Sequence, residues 1–289
     1  MFRRGTLTSL LGLLLVGGCV ASPHPTPPPI GYPFGGAGHV TADEQALLAS
    51  AEDRLVADCM AGRGLAYLSR LVVIGPVPDN PYGLLAVADA RAFGYGIADA
   101  AARRKNPDPN ADFVNRMPPS ERDRWYQALL GTDRNRLDIV LDDGGVFTYR
   151  SDACAYQAHI QVVGNRWDRT YMQVNADTTA LVRTVQGDPA VGAAQSRWSA
   201  CMRDRGHPAV QLTDARATAV GLPAPQEREI ATTDARCQQV AGLGAAIARA
   251  ASAVQAATAA PVQDRALQLR ELRAAAAITA RAVLRRGSG

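Results

Sequence analysis

Cysteine number and spacing constrain this chain more than any other feature: of five, one lies at position 19 and the others at 59, 154, 201 and 237. An even set of four in an exported chain points to two disulfides, which allow three pairings. No two of the four are two residues apart and no histidine stands with them at ligand spacing, so a metal or redox role is set aside in favour of structural bonds. A weak duplication bears on the pairing. Cys59-Met60-Ala61-Gly62-Arg63-Gly64 matches Cys201-Met202-Arg203-Asp204-Arg205-Gly206 as Cys-Met-x-x-Arg-Gly, and Asp152-Ala153-Cys154 loosely matches Asp234-Ala235-Arg236-Cys237. If each half is one unit, the bonds are Cys59–Cys154 and Cys201–Cys237, each tying a helix that ends in glycine to the start of a later helix.

The case for export rests on the leader. Met1-Phe2-Arg3-Arg4 is basic and Leu10 to Val16 is apolar. That run is shorter than the roughly 20 residues that span a bilayer, and it has the proportions of a signal-peptide core. It ends in Val16-Gly17-Gly18-Cys19, which resembles the bacterial lipobox. Small residues admit a peptidase to the backbone, and the thiol takes a diacylglyceryl group before cleavage frees an amine for a further fatty acyl chain such as palmitate. Residues 1–18 are therefore expected to be a lipoprotein signal peptide and Cys19 the lipidated residue, placing the chain on the extracytoplasmic face of the cell membrane. A plain secretory signal is the alternative, and Arg3-Arg4 leaves the twin-arginine route open beside the general one. Residues 19–40, rich in proline and glycine, are expected to form a tether.

The remainder patterns as helix. Thr41 and Glu44 form a capping box ahead of Leu47, Leu48, Ala51, Leu55, Cys59 and Met60 at helical spacing, with Gly62 and Gly64 as the stop. Ser120 to Leu130 is a helix closed by Gly131, and Trp167, Tyr171, Val174, Leu181 and Val185 mark another closed by Gly187. Asp188-Pro189 starts one running to Gly206, and an Ala-rich helical stretch extends from Pro225 to about Arg286 with a break or kink at Pro261. The one β signal is Leu137 to Tyr149, a hairpin about Asp142-Asp143-Gly144-Gly145. Gly75 to Asp112 is proline-rich and is expected to be a long surface excursion, with a helix-compatible stretch near Leu84 to Asp99 interrupted by Gly94 and Gly96. The fold class is mainly α: a disulfide-stapled helical domain with a duplicated half (residues 41–187 and 188–286) and one small β-hairpin.

Trp198-Ser199-Ala200-Cys201-Met202 with Gly206, followed by Ala231, Asp234 and Cys237, resembles a group of actinobacterial secreted proteins and lipoproteins marked by W-x-x-C-M-x-x-x-G and A-x-x-D-x-x-C. Glu121, Trp125, Ala128, Leu129 and Gly131 match the group's E-x-x-x-[WY]-x-x-A-L-x-G element, and the likeness covers roughly residues 52–255. Val56 stands where the second copy has Trp198, and His207 where an aromatic is usual. The resemblance implies an envelope location and no particular chemistry.

Other residues invite a chemical reading. Ser151, Asp152 and His159 could assemble a hydrolytic triad, but no Gly-x-Ser-x-Gly elbow is present and Ser151-Asp152 suits a helix cap better. Asp142 and Asp143 are too few for a calcium loop, and Gly94-Tyr95-Gly96 lacks the Lys-Ser/Thr of a phosphate loop. Trp125, Trp167 and Trp198 fit a core, and Arg265, Arg270, Arg273, Arg281, Arg285 and Arg286 a solvated basic face. A net charge of +4 over 289 residues gives no case for nucleic acid. No catalytic residue, metal or cofactor is expected. The functional expectation is a non-enzymatic binding or interaction module with an envelope protein or polymer as partner. The alternative is an envelope hydrolase whose site the sequence does not group.

Overall fold

The computed structural model describes residues 31–75, 80–104, 108–141 and 144–286. The leader, Cys19, most of the tether, and Asp142-Asp143 therefore lie outside the described residues. The protein is mainly helical with one two-stranded antiparallel hairpin. The helices are α1 (Ala42–Gly62), α2 (Val87–Phe93), α3 (Ile97–Arg104), α4 (Pro109–Arg116), α5 (Pro119–Leu130), α6 (Cys154–Val163), α7 (Trp167–Gln186), α8 (Pro189–Asp204), α9 (Leu212–Thr218), α10 (Ala224–Ala241), α11 (Leu243–Ala256) and α12 (Ala260–Arg286). Strands β1 (Arg136–Val140) and β2 (Val146–Arg150) pair Leu137 with Tyr149 and Ile139 with Phe147.

Both disulfides join the expected cysteines: Cys59–Cys154 with Cα atoms 5.7 Å apart and Cys201–Cys237 with 5.6 Å. The duplicated hexapeptide is a repeated piece of geometry. At the end of α1, Gly64 has φ +71° and the Leu65 N–H donates to the Met60 carbonyl; at the end of α8, Gly206 has φ +81° and the His207 N–H donates to the Met202 carbonyl. Each is a helix end capped by a left-handed residue, a conformation glycine adopts without steric penalty. Met60 and Met202, one residue after each cysteine, are fully buried. The second cysteines differ: Cys154 opens α6, as expected, whereas Cys237 lies deep within α10 rather than near its start.

The two halves are not separate packing units. Leu48 and Ala51 of α1, Val162 and Val163 of α6, and Trp167 and Val174 of α7 share one apolar cluster with Ala266, Leu269, Ala276 and Ala280 of α12. Conversely, Ala90 and Tyr95 pack with Trp198, Met202, Ala231 and Cys237. Residues 80–99 thus lie against α10 with Tyr82, Leu84, Ala90 and Tyr95 buried and Ala86, Ala88, Asp89 and Arg91 exposed. The helix-compatible stretch is present as α2 and α3, and the surface excursion expected there is corrected to a layer packed on the second half. Tyr82, Leu84 and Tyr95 are buried there because α10 presents polar groups that satisfy the irregular backbone.

Three other expectations change. Residues 33–40 belong to the folded body: Ala37 and Val40 are buried, and Arg273 Nη1 donates to the carbonyls of Gly36 (2.7 Å) and Ala37 (3.1 Å). The stretch after Pro225 breaks just before Pro261, as the proline indicated, with Pro261 in the first turn of α12; it also breaks at Gly242, left-handed at φ +68°, where no break was expected. The C-terminal arginines are not all a solvated face. Arg265 pairs with Asp177 of α7 at 2.8 Å, Arg273 pairs with Glu44 of α1, and Arg270 donates to the Phe34 carbonyl.

Candidate functional site

α10 carries three fully buried polar residues, Glu227, Asp234 and Gln238, spaced seven and then four residues apart and therefore on one face. Each meets residues 83–98. Gln238 Nε2 donates to the Gly83 carbonyl (3.1 Å) and its Oε1 accepts from Leu85 N–H (2.9 Å), so its amide pairs with that backbone as a strand's peptide would. Glu227 accepts from the N–H groups of Ile97 (2.8 Å) and Ala98 (2.7 Å), neutralising free amides in the first turn of α3. Gly94, at φ +65°, makes this possible, since a Cβ there would lie 2.9 Å from Glu227 Oε1.

Asp234 is the hub. Its Oδ1 accepts from Trp198 Nε1 (2.8 Å) and Gln238 Nε2 (2.9 Å), and its Oδ2 from the Tyr95 hydroxyl (2.9 Å). Desolvation raises its pKa, opposed by the Trp198, Tyr95 and Gln238 hydrogen bonds. Burial, with the charge and hydrogen bond of Asp234, drives the Tyr95 hydroxyl far above the usual phenol range.

Beside this hub opens a cleft of about 210 Å³, walled by residues 80–85, Tyr95, Gln186, Gln195, α9 residues Leu212, Thr213 and Arg216, and Gln211 ahead of them, and reaching Asp234. Amides dominate its polar lining and several are pre-oriented. Gln195 Nε2 donates to Gln211 Oε1 (2.9 Å) and to the Val210 carbonyl (3.1 Å), while Asn80 Oδ1 accepts from Tyr82 N–H (3.0 Å). Tyr82, also in the wall, holds a buried hydroxyl that has no hydrogen-bond partner among the described residues. Burial pushes its pKa up to about 12, so it stays protonated. Chemically, the cleft offers neutral donors and acceptors with one guanidinium, and its carboxylate is already committed to three donors.

A second polar cluster surrounds His159. Its Nδ1 lies 2.9 Å from Glu52 Oε1 of α1 and its Nε2 2.9 Å from Asp168 Oδ1 of α7. Burial alone would lower its pKa, but the hydrogen bonds and charges of Asp168 and Glu52 outweigh that and push it up to about 10. Both ring nitrogens are then N–H donors, leaving no lone pair to accept a proton. The Ser151–Asp152–His159 grouping does not form. Asp152 accepts from Thr132 N–H (3.0 Å) and Oγ1 (2.8 Å), and the Ser151 hydroxyl donates to the Asn135 carbonyl (3.2 Å). Nor do Ser151 and Asp152 cap α6, whose N-cap is Ala153 with no side-chain bond.

Among the described residues, no cluster of three or more His, Cys, Asp or Glu is placed to hold a metal ion, and no helix is long and apolar enough to cross a membrane. Trp125, Trp167 and Trp198 are all buried, as their spacing indicated. Sequence reasoning named Asp234 only as a motif letter and passed over Glu227, Gln238, Tyr82 and the cleft amides. The available signal was three polar residues on one stripe of an otherwise apolar helix face. A scan against family models finds none that matches the chain, and searches of curated proteins and of solved structures find no relative.

Proposed function

We propose that this chain is a lipid-anchored binding module of the cell envelope, tethered through Cys19 and holding a neutral, polyhydroxylated unit of an envelope polymer in the amide-lined cleft beside α9. The observation that carries this reading is the cleft lining. Gln186, Thr213, Gln195 Oε1, Gln211 Nε2 and Asn80 Nδ2 supply donors and acceptors suited to vicinal hydroxyls, and Arg216 adds a guanidinium. The cleft is smaller than the roughly 300–1,000 Å³ of a drug-sized site, so it takes a single ring or a chain end. Two disulfides within the fold accord with an oxidising compartment, as the leader requires.

Titration of the full chain with saccharide fragments from an envelope polymer, followed by calorimetry, is the test. Saturable binding that Arg216→Ala and Gln195→Ala each weaken about tenfold supports the reading. Turnover of the fragments makes the protein a hydrolase and overturns it, as does the absence of binding. Mass spectrometry of the mature first residue tests the anchor separately, since an unacylated Cys19 removes the tether without touching the cleft.

A further inference from the structure

Between α1 and the first gap in the described residues, the chain runs as Ala66-Tyr67-Leu68-Ser69-Arg70-Leu71-Val72-Val73-Ile74, with no helix and no strand partner. Its backbone bonds nevertheless follow a strict period of two. The Ala66 carbonyl accepts from Trp125 Nε1 at 2.8 Å. Leu68 is held both ways by the Asn110 amide, its N–H donating to Oδ1 (2.8 Å) and its carbonyl accepting from Nδ2 (3.2 Å). The Arg70 N–H donates to Asp53 Oδ2 (2.6 Å) and the Val72 N–H to Ser50 Oγ (2.9 Å). In an extended chain, the N–H and C=O of one residue point to the same edge and those of its neighbours to the other. Side chains of α1, α4 and α5 thus take the place of a neighbouring strand along the inner edge of this strap. The outer edge, formed by Ser69, Leu71 and Val73, has no hydrogen-bond partner among the described residues.

That edge is flanked by exposed apolar side chains, Leu71 at 76% and Val73 at 78% accessible, in a β-branched run that favours strand pairing. No proline or inward charge blunts it, the usual protections of a free edge.

We propose that this outer edge pairs antiparallel with the same edge of a second copy of the chain, about a two-fold axis through Leu71. The residues favour that occupant and that direction. Antiparallel pairing sets Leu71 against its copy, Ser69 against Val73 and Arg70 against Val72, with no like charges opposed, whereas in-register parallel pairing would stack Arg70 on its copy. A two-fold axis makes the edge its own complement and closes the assembly at two. The three outward residues of each copy make about six main-chain hydrogen bonds, a small contact that gives a weak, concentration-dependent dimer.

The test is sedimentation of the full chain in detergent over a wide concentration range, with amide hydrogen exchange on the same samples. The wild type is expected to dimerise, with the Ser69, Leu71 and Val73 amides gaining protection in the dimer while those of Leu68, Arg70 and Val72 are protected throughout. Leu71→Pro removes an outward N–H and leaves every inner bond, so it should weaken dimerisation about tenfold or more at unchanged thermal stability. Leu71→Lys sets like charges across the axis with the backbone intact, and mixing it with Leu71→Glu should restore association. A wild type that stays monomeric overturns the proposal, even where the edge captures a foreign extended peptide. A dimer indifferent to all three variants overturns it as well.

Discussion

The two Cys-Met-x-x-Arg-Gly helix ends have the same local geometry and different surroundings. After Gly206 the chain turns into α9 and α10, and Trp198 gives its indole N–H to the buried carboxylate of Asp234. After Gly64 it leaves as an exposed strap. The indole beside Met60 comes from α5, with Trp125 Nε1 on the Ala66 carbonyl, and shares a cluster with Val56, the residue at the Trp198 position. The repeated element is therefore a device at the scale of one turn: a disulfide, a buried methionine and a glycine cap. What seals each copy is supplied from elsewhere in the chain. The second copy is closed by a buried network, the first by side chains that imitate a strand and leave one edge without a partner among the described residues.

Removing each disulfide tests whether the copies contribute equally. In the loop-closure account, a bond across 95 residues contributes about 4.7 kcal/mol and one across 36 about 3.8 kcal/mol. Denaturant unfolding of Cys59→Ala/Cys154→Ala should thus show the larger loss, and Cys201→Ala/Cys237→Ala the smaller. The reverse order would mean that the Asp234 network depends on its disulfide.

That network has no counterpart in the first copy, and two substitutions at one position isolate it. Asp234→Ala strands the Trp198 and Tyr95 donors in a dry site and should cost roughly 3–5 kcal/mol. Asp234→Asn keeps an oxygen for Trp198 and Gln238 but sets an N–H where the Tyr95 hydroxyl had its acceptor. One stranded donor instead of two should cost about 1–3 kcal/mol, less than Asp234→Ala. Equal, large losses for both would show that the negative charge itself holds the network.

The first half instead holds a half-buried histidine between two carboxylates, with titratable consequences. The pKa of His159 is raised from 6.5 to about 10, so the folded state binds its proton more tightly than the unfolded chain. The resulting stabilisation is complete below about pH 6.5 and is lost as pH rises toward 10. His159→Gln should cost roughly 2–4 kcal/mol at neutral pH by leaving Glu52 and Asp168 without a cation. It should also flatten the decline in melting temperature between those pH values; a decline that persists in the variant would assign it to other groups.

Much of this architecture was legible because its signals are local. Helix starts at Thr41 and Asp188, glycine stops, the hairpin and the even cysteine count each depend on a few adjacent residues. Residues 80–99 were legible only in part, for the opposite reason. Their helical stretch is a local signal, but Pro81, Gly83, Gly94 and Gly96 favour a surface loop, and only Glu227, Asp234 and Gln238, more than 120 residues away, make packing on α10 favourable. The cleft was invisible on the same ground, since an amide acquires meaning from the partner it faces, and single glutamines carry no spacing to read. Arginines on α12 looked like a solvated face until Asp177 and Glu44 were brought opposite them.

The smallest effects concern how each half begins. Asp188 caps α8 alone, accepting from Ala190 and Val191, whereas Thr41 caps α1 in a box whose Glu44 also holds Arg273 of α12. Thr41→Ala and Asp188→Ala should each cost about 1 kcal/mol, the usual worth of an N-cap. They should differ in a double-mutant cycle with Arg273→Ala. Thr41 positions Glu44, so Thr41→Ala should couple to Arg273→Ala by about 0.5 kcal/mol or more, while Asp188→Ala adds independently. Additivity at both sites would show that α12 docks through its apolar face alone, with the ion pair merely lying over a contact that Leu269 and Ala276 already fix.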